Sequence, residues 1–269
     1  MGKILSQRMI ADYEELGAIT GIPVLTAAET AEFLAELETV ERALGGKLLR
    51  IDAPHLFLPW AYRLAIHPRV LDVMEDLLGP ELFVHSTRIF YKHGEDPSFV
   101  SWHQDGLYSD LNSKPAPTAW VALTESTPEN GCVRVIPGSH LNGKLSHTET
   151  YGEKNLLNHG ELVDIPVDET KALDLVLRPG EMSIHHVNTI HGSNPNASQR
   201  RRVGFSMSYI TPKARHSNMP VVHARGVSND HSFEMWDPPV ERDLQEALAA
   251  HAEFMRKGRM RLPRVAAAS

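Results

Sequence analysis

A mainly β barrel or jelly roll, propped by helices at its N- and C-terminal ends, is the fold class this sequence predicts. Three observations predict it. Short β-type runs recur from residue 82 to residue 210, separated by polar punctuation. Before them, the first 80 residues carry helical periodicity with start and stop signals. After them, residues 239–255 place Leu244, Leu248 and Met255 near one helical face. The 269 residues exceed the usual single-domain size but lie within what one all-β barrel reaches. A single domain is therefore expected, with 1–80 as helical support, 81–212 as the jelly-roll core and 213–269 as loop and C-terminal helix.

Taken in order, residues 6–16 read as a short helix, and Thr26-Ala27-Ala28-Glu29 is a capping-box pattern that opens a longer helix to residue 44, ended by Gly45-Gly46. A third helix runs over 68–78, with Pro68 at its first position and Gly79-Pro80 as its stop. The β-type runs are 82–93, 118–125, 133–136, 162–167, 173–177, 182–187 and 203–210. Residues 142–160 and 211–239 lack periodicity and are rich in Asn, His, Pro and Gly. Loops of that length carry function or are disordered, and both are expected to be substrate lids. The tail, 256–269, is expected to fray.

Chemistry concentrates at His103-Gln104-Asp105 and, far downstream, at His191-Gly192-Ser193-Asn194-Pro195-Asn196 followed by Arg202. Two histidines and one carboxylate on one face of an octahedral ion leave three positions open for a chelating co-substrate, water and dioxygen. In a strand, residues i and i+2 point the same way, so His103 and Asp105 can grip one ion while Gln104 faces away. Residues 182–187 and 203–209 read as two strands joined by a polar turn, with His191 at its mouth and Arg202 entering the return strand. Arg202 suits a dicarboxylate's far end, because a guanidinium donates two parallel hydrogen bonds and stays charged. Ser193 offers a further hydroxyl.

The ordered stretches Trp102-His103-Gln104-Asp105, 119–124 (AWVALT), 129–132 (ENGC), 136–140 (IPGSH), 178–181 (RPGE) and 191–196 (HGSNPN) resemble the phytanoyl-CoA dioxygenase family, closely over about residues 80–212. That resemblance implies a double-stranded β-helix, Fe(II) bound by His103, Asp105 and His191, and 2-oxoglutarate and O2 as co-substrates. It implies Arg202 as the co-substrate's carboxylate partner, with Ser193 and Trp120 as secondary contacts. It also implies hydroxylation of a C–H bond in a small molecule, free or tethered to CoA or a carrier, with desaturation, epimerisation or cyclisation as alternatives. In the family's halogenase branch a small residue replaces the ligand aspartate; here Asp105 fills that place, which favours hydroxylation.

A zinc-holding jelly roll, a zinc-binding jelly-roll hydrolase or a non-catalytic one, would use the same three ligands, but a zinc hydrolase has no reason for Arg202 and Ser193 at these offsets, and a pure binding module would form no succinate with any substrate. Of His185 and His186, one faces inward by alternation and is expected to be a packed core histidine rather than a fourth ligand. Arg88 and Lys92 share a strand face with Phe90, and a solvated face is the simpler account of both. A formal net charge of -7 argues against a nucleic-acid footprint. The one cysteine, Cys132, excludes an internal disulfide, is expected to be buried, and fits a reducing compartment. No apolar run nears the ~20 residues that span a bilayer, so the cytoplasm is the expected location.

Overall fold

Helix boundaries fall where the capping chemistry puts them. The computed structural model of the protein describes residues 2–108, 117–214, 220–227, 231, 233–257 and 264–265. Helix α1 (Gln7–Leu16) starts at Ser6, whose side chain accepts the Met9 amide, and ends at Gly17. Helix α2 (Ala27–Leu44) opens with the complete Thr26/Glu29 capping box and closes at Gly45. Helices α3 (Pro59–Ala65) and α4 (Pro68–Leu78) each begin with proline in the first turn, where the missing N–H costs no intrahelical bond.

Two strands lie among these helices that hydrophobic pattern did not foretell, β1 (Ala18–Pro23) and β2 (Leu48–Asp52). Both are short, and Gly21 and Pro23 make the first read as a turn. The N-terminal third is thus part of the sheet as well as its support. The remaining strands are β3 (Leu82–Lys92), β4 (Val100–His103), β5 (Thr118–Ala122), β6 (Val133–Val135), β7 (His147–Glu149), β8 (Glu161–Val163), β9 (Leu173–Leu175), β10 (Glu181–His185), β11 (His191–Ser193), β12 (Arg202–Ile210), β13 (Val221–Arg225), β14 (Met235–Trp236) and β15 (Arg264–Val265), with α5 (Leu244–Lys257) before the last.

A nine-stranded major sheet has the order β1-β10-β5-β12-β3-β13-β14, with β2 also on β3 and β15 on β2; a four-stranded minor sheet has the order β4-β11-β6-β9, and β7 pairs with β8. Residues 182–187 and 203–209 are therefore not a hairpin: β5 separates β10 from β12, and the chain between them crosses to the minor sheet as β11. Part of 211–239, expected to be a lid, instead pairs as β13 with the start of β3 and extends the sheet. In the tail, β15 pairs with β2 rather than fraying. Residues 258–263 and 266–269 lie outside the described residues.

Strand alternation divides the major sheet into two faces. Ile89 and Tyr91, Ala119 and Val121, Met182 and Ile184, and Val203, Phe205, Met207 and Tyr209 pack against Leu37 and Val40 of α2, Trp60 and Leu64 of α3 and Val70 and Met74 of α4. Each of the larger aliphatic side chains and Phe205, fully buried, contributes roughly 1.5–3 kcal/mol. The alternate positions face the space toward the minor sheet: Arg88, Thr118, Trp120, His185 and Arg202 line one cavity, and Lys92 lies buried on the same face. A helix-covered apolar face thus forces a polar set onto the inner one.

Candidate active site

His103 and His191 meet because β4 and β11 pair in a register that sets them directly opposite one another. Their rings lie 4.1 Å apart between centroids. The Nδ1 of His103 lies 3.0 Å from Ser101 O and 3.1 Å from His191 O, and the Nδ1 of His191 lies 2.9 Å from Thr189 O. Carbonyls only accept, so each ring is assigned its proton on Nδ1 and turns an unprotonated Nε2 inward. Those two Nε2 atoms lie 3.6 and 3.7 Å from Asp105 Oδ1. Burial, followed by the neighbouring rings of His103 and His185, pushes the His191 imidazole well below its usual range, which keeps it neutral.

Asp105 arrives by a different route from the one expected. β4 ends at His103, and Asp105 opens a 3-10 turn instead of continuing the pleat. The turn is tight because the Gly106 amide donates to Val187 O at 2.8 Å, and a Cβ there would sit 2.3 Å from Asn188 Oδ1. Gln104 does face away, donating to Gly143 O and Asn188 O and accepting from the Leu145 amide. The second oxygen of Asp105, Oδ2, accepts from Thr118 Oγ1 at 2.6 Å and lies 3.3 Å from His185 Nε2. Burial would raise the Asp105 carboxyl, but its histidine neighbours, His191 first and then His103 and His185, outweigh it and hold it well below the usual carboxylate range. Oδ1 is thereby left to face the histidines. His185 stays outside the three-ligand cluster, yet it is not idle packing, since it orients one of its members. Thr118 was missed altogether, because its role depends on β5 lying beside β10.

Among the described residues, His103, Asp105 and His191 form the only group of three such side chains able to hold a metal, with their ligand atoms within 4.8 Å of one another. Two opposed ligands at ~2.1 Å from an ion span ~4.2 Å, and cis ligands less, so the 3.6 and 3.7 Å separations fit a shared divalent ion.

Arg202 stands opposite Lys92 across β12 and β3. It is 2 % exposed, donates from Nη2 to Gly131 O at 2.9 Å, and stacks its guanidinium 5.3 Å from the Trp120 ring centre. Trp120 can lie there because position 204 is glycine: a Cβ on Gly204 would fall 1.6 Å from the indole. Burial lowers the Arg202 pKa to about 10, which leaves it charged at neutral pH. Its Nε is buried with no hydrogen-bond partner, an orphaned donor awaiting an acceptor.

Lys92 corrects the solvated-face expectation. It is 0 % exposed and donates to Ser193 Oγ at 2.6 Å and to Asn194 O. Burial first, then adjacent Arg202, pushes its ammonium well below the usual lysine value. No pattern in the sequence marks it; cross-strand register does. Arg88 also lines the cavity rather than a solvated face, as do Arg50 and Asn158. The cavity has an empty volume near 740 Å³ including its mouth, and Leu157 and Asn158 from the 142–160 segment help wall it. The neighbours of Arg202 go elsewhere: Arg201 pairs with Glu38 and Glu41 of α2, and Arg200 with Glu125. Cys132 is buried as expected, and burial, then Asp174, pushes its thiol up to about 12.

The profile described as Phytanoyl-CoA dioxygenase (PhyH) matches residues 13–204. The chain belongs to the phytanoyl-CoA dioxygenase family. A probable alpha-ketoglutarate-dependent hypophosphite dioxygenase of Stutzerimonas stutzeri is 30% identical over 203 residues, covering 74% of this chain and 68% of that protein. The ectoine dioxygenase of Sphingopyxis alaskensis is 30% identical over 168 residues, covering 58% of this chain and 55% of its own length. Among solved structures, the apo form of the non-heme monooxygenase ThoJ superposes with a TM-score of 0.78 at 32% identity, covering 93% of this chain and 96% of that one. This family member is a double-stranded β-helix enzyme, a non-haem Fe(II)- and 2-oxoglutarate-dependent dioxygenase that uses O2 and acts on a small molecule. Among the described residues no helix is long and apolar enough to cross a membrane.

Proposed function

We propose that His103, Asp105 and His191 hold the iron, that Arg202, Lys92, Ser193 and Trp120 receive 2-oxoglutarate, and that the reaction is hydroxylation of an unactivated C–H bond. The observation that carries the assignment is the aim of Asp105: its Oδ2 is occupied by Thr118 and His185, so Oδ1 and two unprotonated Nε2 atoms converge on one point. When bound there, iron supplies the oxidising chemistry that couples conversion of 2-oxoglutarate and O2 to succinate and carbon dioxide with insertion of one oxygen into the substrate.

The protein's own contribution is placement. The backbone carbonyls on His103 and His191 Nδ1 fix both rings, and Thr118 fixes the carboxylate, so the ligand set is assembled before any ion arrives. Arg202 and Lys92 lie adjacent and buried, a like-charge juxtaposition that pushes the Lys92 ammonium down after burial itself and that an arriving anion relieves. A dicarboxylate's far end satisfies that demand and the orphaned Arg202 Nε together. Phe90, Val100, Val133 and Leu157 give the cavity an apolar lining that excludes water around the reacting carbon. No side chain has to donate or remove a proton, so a neutral His191 and an inert Cys132 suit the task.

A cavity of this size takes a metabolite-sized molecule or the reacting end of a CoA- or carrier-tethered one. We read the whole chain as one catalytic unit and, with a single buried cysteine, as cytoplasmic. The test is anaerobic Fe(II) titration followed by succinate release with 2-oxoglutarate and a metabolite panel, products being identified by mass. One iron per chain and a product heavier by one oxygen are expected. Stoichiometric iron in a His103→Ala, His191→Ala double variant refutes the ligand assignment.

A further inference from the structure

A second cationic group sits on the same inner face, four residues down β3 from Lys92, roughly 13 Å away at ~3.3 Å per residue. Arg88 of β3 and Asp52 of β2 are direct cross-strand neighbours, and Arg50 lies two residues before Asp52 on the same face. Asp52 joins them: its Oδ2 accepts from Arg50 Nε at 2.8 Å and its Oδ1 from Arg88 Nε at 3.0 Å. Arg50 is tied down further, donating from Nη1 to Leu156 O at 2.7 Å and from Nη2 to Asn158 Oδ1. The side chains of Arg50 and Asp52 are 4 % and 3 % exposed, whereas that of Arg88 is 29 % exposed. All of Arg50, Arg88 and Asn158 line the cavity that also contains His103, Asp105 and His191.

Fold stability does not call for this arrangement. Burying Arg50 with Asp52 costs more in desolvation than apolar residues of the same volume would, and the group occupies the sheet face turned to the cavity, not the face that holds the helices. Its mechanical effect is to present a guanidinium of fixed plane at the cavity wall. A planar fork held in one orientation recognises a carboxylate or a phosphoryl group, and little of its rotamer entropy remains to be lost on binding. The first cationic group, Arg202 with Lys92, belongs to the co-substrate, so the second meets a different molecule.

We propose that Arg88, oriented by Asp52 and backed by Arg50, binds an oxyanion group of the primary substrate, and that this enzyme therefore takes carboxylated or phosphorylated small molecules. The inference rests on the co-substrate assignment above. The substrate's anionic end lies at β2 and β3, and its oxidised carbon extends toward the β4–β11 side of the cavity.

The test uses the full chain loaded with Ni(II) and 2-oxoglutarate, titrated with hexanoate, hexyl phosphate and hexanol by calorimetry or ligand-observed NMR. One of the two anions should bind at least about tenfold more tightly than hexanol, a difference of about 1.4 kcal/mol, and which anion it is separates a carboxylate from a phosphoryl substrate. Arg88→Gln should abolish the preference and Arg88→Lys should reduce it, with the 2-oxoglutarate dissociation constant unchanged in both. Equal binding of hexanol, preference retained in Arg88→Gln, or displacement of 2-oxoglutarate by the anion overturns the proposal. If the unaltered protein fails to bind Ni(II) and 2-oxoglutarate, the co-substrate assignment falls and this inference with it. Normal loading without anion preference sinks the inference alone.

Discussion

The two walls of the cavity are built on opposite plans. The minor-sheet wall carries the proposed ligand set on strands of three and four residues, broken by a register shift between His191 and Ser193 and followed by the turn that delivers Asp105. The major-sheet wall carries the cations on strands of eleven and nine residues in near-continuous register. Irregular backbone brings three ligands to one point, which a flat pleat with side chains ~6–7 Å apart along a strand does not do. Regular backbone spaces cations along a surface, which suits elongated anions. On the proposed assignment, the difference separates gripping an ion from laying out organic substrates, each left to the sheet geometry that suits it.

The largest effects test the minor-sheet wall. His103→Ala, Asp105→Ala and His191→Ala should each abolish turnover and iron retention while circular dichroism shows the fold intact, because the apolar core lies on the far side of the major sheet. Full activity with iron still bound in either histidine variant breaks the division of labour.

Next comes the major-sheet wall. Removing one partner of a buried charge pair costs roughly 2–5 kcal/mol, so Arg202→Ala should raise the 2-oxoglutarate constant about thirtyfold or more with iron content little changed. Arg201→Ala should leave that constant alone and cost at most about 1 kcal/mol of stability, since its partners Glu38 and Glu41 lie on the helical side. A larger effect on the co-substrate at Arg201 than at Arg202 means the anchor is misplaced.

Thr118→Val sharpens the comparison, because Thr118 sits on the major sheet but serves the minor-sheet ligand Asp105. Outer-shell partners of metal ligands are worth about 10–100-fold in affinity, so Mn(II) should bind that much more weakly. Thr118→Ser should restore it, and the 2-oxoglutarate constant measured at saturating metal should not move. The smallest expected effect is none: with Asp105 held on Oδ2, added chloride or bromide should yield no halogenated product by mass spectrometry. Halide incorporation shows that Asp105 leaves its place during turnover.

What the sequence determined by itself was the local chemistry. His103, Asp105, His191, Ser193, Trp120 and Arg202 all line one cavity, and the capping residues placed α1, α2 and α4 within a residue of their ends, because motif spacing and capping act over a few positions. Tertiary structure decided everything that depends on which strands become neighbours. Lys92 reads as a solvated lysine until β12 sets it beside Arg202; His185 and Thr118 become the clamp on Asp105 only because β5 and β10 pair; Arg88 meets Asp52 through β2, a strand too short to announce itself. Residues far apart in the chain are brought together by sheet register, and register is fixed by which face is buried against the helices, a property of the assembled fold and not of any local segment.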